Sequence, residues 1–227
     1  MSATALATVT ALIAGLFLGV VSAWPELRQV RAELASSLRL AEHDPLTGLP
    51  NRAAAQRHFQ LQAAASRAPA AVLLDLNNFK TVNDTWGHQA GDAVLTTIAT
   101  RLVDACAPIG GLASRLAGDE FVLLLLPTDP PTVVNHVDAI LDRLSEPITF
   151  VINNTLTATV APSASAGIAL PKPGSTWTDS LREADIALYH AKSRPELAVL
   201  YTIGMRQPPL PDVRHGPRFR DQNTNNR

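Results

Sequence analysis

The chain has 227 residues, 46% of them hydrophobic and 17% charged, with a formal net charge of −1. That is enough chain for one or two domains, and too much apolar material for a disordered polymer. Near-neutral charge excludes a nucleic-acid binder that works by bulk positive charge, so no nucleic-acid partner is expected, while a local phosphate site stays open. The single cysteine, Cys106, excludes an internal disulfide and a cysteine zinc cage, and fits a reducing compartment.

No side chain before Glu26 is charged, and the stretch from Ala3 to Trp24 is rich in Ala, Leu, Ile, Val and Phe. A helix of that length, rising about 1.5 Å per residue, covers roughly 33 Å, against a bilayer core of about 30 Å. Residues 1–25 read as one transmembrane helix, with Trp24 at the interface and Pro25 ending the run. Two other readings compete. One is a cleaved signal peptide, for which Val21-Ser22-Ala23 offers small residues although no basic segment precedes the run; the other is a buried helix of a soluble protein. Arg28 and Arg31 follow the span, which by the positive-inside rule places the C-terminal side in the cytoplasm. The expected location is the inner (plasma) membrane, crossed once.

Residues 26–43 read as a linker and dimerisation helix. Leu27, Val30, Leu34 and Leu38 form a narrow apolar seam with charged residues between them. A short coiled coil fits that seam, and so does one amphipathic helix packed on its own domain.

Residues 44–203 alternate helix and strand, the pattern of an α+β domain. Ala53 to Ala68 is Ala- and Gln-rich and helical. Ala70 to Leu74 is a continuous apolar run followed by an acid, the mark of a buried strand. Asp92 to Ala105 is a helix. Leu112 to Arg115 and Phe121 to Leu126 are strands joined by a tight turn at Ala117-Gly118-Asp119-Glu120. Pro131 to Leu144 is a helix. Ile148 to Ile152 and Leu156 to Val160 flank Asn153-Asn154, a hairpin signal. Ser163 to Leu170 is a strand, Asp179 to Ser193 a helix with Asp179 as its cap, and Leu197 to Tyr201 the last strand. Residues 204–227, with their prolines and the run Asn223 to Asn226, read as a disordered tail.

The chemistry gathers at strand ends. Asp75 closes a buried strand, where an ionised carboxylate is costly unless paired or bound to metal. Asp119 and Glu120 are adjacent acids in a tight turn, and Gly118 lets backbone approach a ligand closely. If the two strands are neighbours, Asp75 and Asp119 converge, and oxygen donors beside a substrate phosphate suit Mg²⁺. A capped turn plus an ordinary surface acid explains the same residues. Phe79 and Lys80 follow an Asn77-Asn78 turn whose free N–H groups suit phosphate. Asn83 and Asp92 are able to read a purine edge, or to cap a turn or helix. His88 reads as a loop histidine. Lys192 near a helix end serves either a ligand or the helix dipole.

Four blocks then stand in order: His43 to Arg52 (HDPLTGLPNR), Asp75 to Asp92 (DLNNFKTVNDTWGHQAGD), Arg115 to Phe121 (RLAGDEF) and Ala184 to Lys192 (ADIALYHAK). Together they resemble the GGDEF domain of diguanylate cyclases. The resemblance implies a palm-like fold of nucleotide cyclases, with a central, mostly antiparallel sheet flanked by helices. It implies GTP as substrate, cyclic di-GMP and pyrophosphate as products, a homodimer, and Mg²⁺ or Mn²⁺. It further implies Asp75, Asp119 and the Leu76 carbonyl as metal ligands and Glu120 near the reacting 3′-hydroxyl. Asn83 and Asp92 would hold guanine, and Phe79, Lys80 and Lys192 would meet the triphosphate, with Gly118 allowing the close approach.

The sequence also departs from that family. Ala117 stands at the first signature glycine, Leu116 at the usual aromatic before it, and Asn77 at a frequent aspartate. Pro195-Glu196-Leu197 replaces Gly-Arg-Asn, so Glu196 reverses the charge of a triphosphate-binding arginine. Pro108 and Gly111 occupy the positions of an arginine and an aspartate that form the family's product-inhibition site. The alternative to an enzyme is therefore a catalytically degenerate GGDEF domain that binds GTP or a partner protein. A third reading is a related GTP-using transferase with another product.

Overall fold

The computed structural model describes residues 15, 17, 22–29, 42–126, 129–152, 156–194 and 197–206. Most of the apolar run 3–24, the seam positions Val30, Leu34 and Leu38, the tip Asn153-Asn154, the pair Pro195-Glu196 and residues 207–227 lie outside them. Residues 22–29 are helical, and among the described residues no helix is long and apolar enough to cross a membrane.

Strand β1 (Ala70–Leu76) is apolar until Asp75 because both its faces are covered. It pairs antiparallel with β3 (Glu120–Leu125) on one side and with β6 (Ala164–Ala169) on the other. Strand β2 (Leu112–Ala117) lies antiparallel beside β3, and β7 (Ala198–Leu200) lies parallel beside β6. The five strands run β2-β3-β1-β6-β7. The mostly antiparallel sheet expected from the sequence is present. Its parallel pair, β6 with β7, is joined through helix α5 (Trp177–Ala191). Strands β4 (Ile148–Ile152) and β5 (Leu156–Val160) form a separate two-stranded sheet.

The remaining helices are α1 (Arg52–Ala64), α2 (Phe79–Trp86), α3 (His88–Cys106) and α4 (Pro130–Leu144). Alternate residues of β1 serve opposite layers. Val72, Leu74 and Leu76 join Phe121 and Leu123 of β3 against Val94, Ile98 and Leu102 of α3 and Val137 and Ile140 of α4. Ala71 and Leu73 face the other way, toward Phe59 of α1 and Trp177, Ala184 and Leu188 of α5. Phe59 and Trp177 meet edge to face with ring centres 5.8 Å apart. The period of two therefore aims Asp75 at the α5 side of the sheet.

Several expected boundaries move, each for a local reason. Helix α3 begins at His88, not Asp92, because Gly87 at φ 83 ends α2 and launches α3 within one residue. His88 is thus a first-turn helical residue and not a loop histidine. Asp179 is not the cap of α5: Thr176 is, and Asp179 completes a capping box by accepting the Thr176 N–H. Helix α1 stops at Ala64, and Ser66 turns the chain at φ 57. Helix α4 takes both Pro130 and Pro131 in its first turn behind an Asp129 cap. Strands β2 and β3 run further toward each other than expected, leaving Gly118-Asp119 as the whole turn. Cys106 is buried, and burial pushes its thiol up to about 12, which removes it as a nucleophile.

Helix α5 lies directly on β6 because Gly167 has no side chain. A Cβ there would fall inside the envelope of Ala184 O and Leu188 N, both backbone atoms of α5. Backbone cannot rotate aside as a side chain does. Gly167→Ala is expected to destabilise the domain by about 3 kcal/mol, the upper end of ordinary overpacking. Urea unfolding checks this; a variant as stable as wild type would show that α5 shifts freely on the sheet.

Candidate active site

The register of β1 against β3 sets Asp75 opposite Glu120. One step further on, the Leu76 N–H faces the Asp119 carbonyl at 3.4 Å. Lys192, at the C-cap of α5, reaches the same point: its Nζ lies 2.8 Å from Asp75 Oδ1. The Asp75 side chain is 17% exposed and that of Lys192 is 44% exposed, so the pair sits at the rim. Asp75, Leu76, Asp119, Glu120 and Lys192, scattered over the sequence, thus share one end of the sheet.

The β2–β3 turn is shaped by Gly118, at φ 52. A Cβ at Gly118 would meet nothing within 4 Å, so the requirement there is conformational and not spatial. Ala117 is the last residue of β2 and pairs with Glu120. It is not among the residues with positive φ, so its methyl group is unstrained. The register shift between Arg115 and Ala117 leaves Leu116 in a bulge, a device that re-aims a turn.

Arg115 braces this turn. Its Nε and Nη2 donate to the Gly118 carbonyl at 2.9 and 2.7 Å, and its Nη1 donates to Asp44 Oδ1 at 2.8 Å. The same Asp44 oxygen accepts the Thr47 N–H at 2.8 Å and the Thr47 hydroxyl at 2.7 Å. The Arg115 N–H donates to the Pro50 carbonyl. The chain entering the domain is thereby tied to the acidic turn. Neither Asp44 nor Arg115 was assigned a role from spacing; the one available signal was the Asp-x-x-Thr turn pattern.

The opposite wall is built by α2 and α3. Asn78 is in the left-handed region (φ 57, ψ 23) and makes no side-chain cap, so α2 opens with uncapped N–H groups beside Asn77 and Asn78. Asn77 is fixed by Ser163 at 3.3 Å and by the buried Ser165 hydroxyl, which donates to its Oδ1 at 3.0 Å. Phe79 is half-buried against the core and Lys80 is exposed. The Asn83 side chain lies over Gly91, where a Cβ would run into its amide, and Asp92 follows on the exposed side. Neither Asn83 nor Asp92 is a helix cap. A cavity of about 440 Å³ lies between Asp75, Asn77, Ser163, Lys192 and Arg194. A larger hollow of about 900 Å³, near Arg67 and Lys172, lies at the other strand ends and includes none of the expected site residues.

Asp75, Asp119 and the Leu76 carbonyl are hard oxygen donors at one strand end. Among the described residues, no three His, Cys, Asp or Glu side chains form a metal cage by themselves. A two-carboxylate set of this kind fits Mg²⁺, which keeps water and substrate phosphate oxygens in its shell. At the expected inhibition positions, Pro108 lies in a 3-10 turn (Ala107–Ile109). A Cβ on Gly111 would come within 2.8 Å of Leu125 Cδ2 and 3.3 Å of Cys106 Cβ, so the local packing also resists an acidic side chain there.

The brace has a pH signature. Burial pushes the Asp44 carboxyl up, but hydrogen bonds from Thr47 and Arg115 and the guanidinium charge outweigh it, and the group stays below the usual 3.8. A depressed folded pKa adds stability that is present above the unfolded value and lost as pH falls through the folded one. Asp44→Asn is expected to cost about 1–3 kcal/mol at neutral pH, because it leaves a mostly buried Arg115 without its anion. It is also expected to flatten the loss of stability below about pH 4. Denaturant titrations at pH 7 and pH 3 check both; an unchanged difference between the two pH values would separate Asp44 from the acid limb.

Comparison with known proteins agrees with this geometry. The family model for "Diguanylate cyclase, GGDEF domain" matches residues 41–196. The chain is 36% identical over 162 residues to the bifunctional diguanylate cyclase/cyclic di-GMP phosphodiesterase MucR of Pseudomonas aeruginosa, a match covering 69% of this chain and 23% of MucR. It is 42% identical over 122 residues to diguanylate cyclase DgcN of Escherichia coli, covering 51% of this chain and 29% of DgcN. Its fold is similar to the crystal structure of the coiled coil and GGDEF domain of DgcB from Caulobacter crescentus in complex with c-di-GMP. There the TM-score is 0.70 and the identity 29%, over 82% of this chain and 98% of that one. The chain spans less than a third of the length of MucR and DgcN, and the residues that the family model matches include the acidic strand end. On these grounds the chain belongs to the GGDEF domain family of diguanylate cyclases.

Proposed function

We propose that this chain condenses two GTP into cyclic di-GMP with release of two pyrophosphates, depending on Mg²⁺ or Mn²⁺, at an interface between two copies. The observation that carries this reading is the register of β1 on β3, which gathers Asp75, Asp119 and Glu120 at one strand end with Lys192. Each domain holds one GTP. Asn83 and Asp92 orient the guanine, while the opening of α2 at Phe79 and Lys80 receives the triphosphate beside Gly118. The 3′-hydroxyl of one GTP attacks the α-phosphorus of the other. The bond to the β-phosphate breaks, and pyrophosphate leaves with the electron pair. In this reading Glu120 takes the hydroxyl proton, and Lys192, released from Asp75, moves its charge onto the phosphates. Asp75, Asp119 and the Leu76 carbonyl would hold the metal, which when bound would neutralise charge at the phosphates.

The seam at residues 26–43 supports a dimer, since it raises the local concentration of the second half-site. The similar DgcB structure likewise combines a coiled coil with a GGDEF domain. The apolar run in 1–25 supports a single-pass membrane anchor with residues 44–203 in the cytoplasm and 204–227 as a tail. A second reading, a GGDEF module that binds without turnover, draws on Glu196. Ala117 does not add to it, because that residue is extended and unstrained.

Incubating the full chain with GTP and Mg²⁺ and identifying the product by mass tests the main reading. Cyclic di-GMP is expected from wild type. Asp75→Asn and Asp119→Asn are each expected to lower turnover at least about 100-fold with an unchanged circular dichroism spectrum. GTP binding without product would establish the degenerate module. The anchor is tested separately. A fluorescent reporter that matures only in the cytoplasm, fused after Arg227, is expected to glow and to fractionate with membranes. A shortened, soluble chain outside the cell would establish a cleaved signal peptide instead.

A further inference from the structure

Arg194 lines the cavity that contains Asp75 and Lys192. The chain leaves α5 in a tightened turn: the Ser193 N–H donates to His190 O and the Arg194 N–H to Ala191 O, each at 3.2 Å. That turn keeps the Arg194 backbone within three residues of the helix end, at the cavity wall. The rest of the cavity wall is uncharged, built from the polar Asn77, Asn78, Ser163 and Ser165 with the apolar Ala191 and Leu197. Of its two cations, Lys192 is already committed to Asp75. Arg194 is exposed and has no ion-pair partner among the described residues. A guanidinium offers a planar fork of donors that matches two phosphate oxygens at once, and it keeps its charge at any working pH.

We propose that Arg194 is a substrate-binding residue of this site and grips the GTP phosphates from the α5 side, the work that an acid at Glu196 cannot do. This rests on the reading of the cavity as a GTP site. It also assigns the phosphate cation of this chain to a position two residues nearer the helix, so that Glu196 is tolerated and is not by itself a sign of a dead site.

The test is calorimetric titration of the full chain with Mg²⁺–GTP and, separately, Mg²⁺–pyrophosphate, at low and high salt. Arg194→Ala is expected to weaken both ligands by the same factor, about fivefold at low salt and less at high salt. Asn83→Ala is expected to weaken GTP and leave pyrophosphate unchanged, which separates the phosphate contact from the base contact. Glu196→Arg is expected to help far more in the Arg194→Ala background than in wild type, because two residues that do one job do not add. Arg194→Ala that binds both ligands as wild type does overturns the proposal while leaving the GTP site standing. Equal gains from Glu196→Arg in both backgrounds overturn it as well. A wild-type chain that binds neither ligand overturns the GTP site and the role of Arg194 together.

Discussion

Strand β1 is the middle of the sheet and is covered on both faces, so a charged residue within it is tolerable only where the cover ends. Asp75 stands at that limit. Its neighbour across the ladder is Glu120 on one side and the buried Ser165 on the other. Two carboxylates in register on one face repel, and the Lys192 ammonium at 2.8 Å is what makes their proximity tolerable without a ligand. Antiparallel pairing does not allow a half-step. A slip of one residue would send Asp75 into the layer of α3 and α4, so burial of Val72, Leu74 and Leu76 also sets the position of the acid.

That constraint explains why the site is built from the ends of elements. The β2–β3 turn, the opening of α2 and the close of α5 all reach the same strand end, and each has its own lock. Arg115 holds the Gly118 carbonyl, Asn77 is pinned by Ser163 and Ser165, and the capping box at Thr176 and Asp179 sets the register of α5. Gly167 then lets α5 settle onto β6 close enough for Lys192 to reach across. The locks lie in backbone and half-buried polar contacts and do not draw on the side chains of Asp119, Glu120 or Lys80. This division is common where a rigid frame carries reactive groups.

Much of this was legible in the chain. β1 announced itself as an apolar run ended by an acid, the hairpin by its glycine and paired acids, and β4 and β5 appeared with their expected bounds. The start of α3 was set too late and α2 was not expected, because Asn77 to Gly91 is mostly polar and carries two glycines, which hides helical periodicity. The cap of α5 was misplaced by three residues because the two halves of a capping box, Thr176 and Asp179, carry the same kind of signal. The Asp44–Arg115 pair was out of reach for a different reason. Nothing in local spacing links a turn at the entry of the domain to a strand far along the chain; only the folded sheet brings them together. Arg194 belongs to none of the four blocks, and its place in the cavity wall depends on where the backbone turns after α5, which local spacing does not encode.

The two glycine positions of the signature differ in kind once the turn is seen. At Ala117 the backbone is extended, so glycine's special freedom is not used there and a methyl group on an exposed strand residue costs little. At Gly118 the chain is left-handed at φ 52, and any side chain would be strained even though the surrounding space is empty. The demand for glycine at this turn therefore falls on its second position, which this chain keeps. A test for degeneracy that counts departures from a motif weighs the two positions equally. A test that follows backbone conformation does not, and by that measure the acidic turn of this chain is intact.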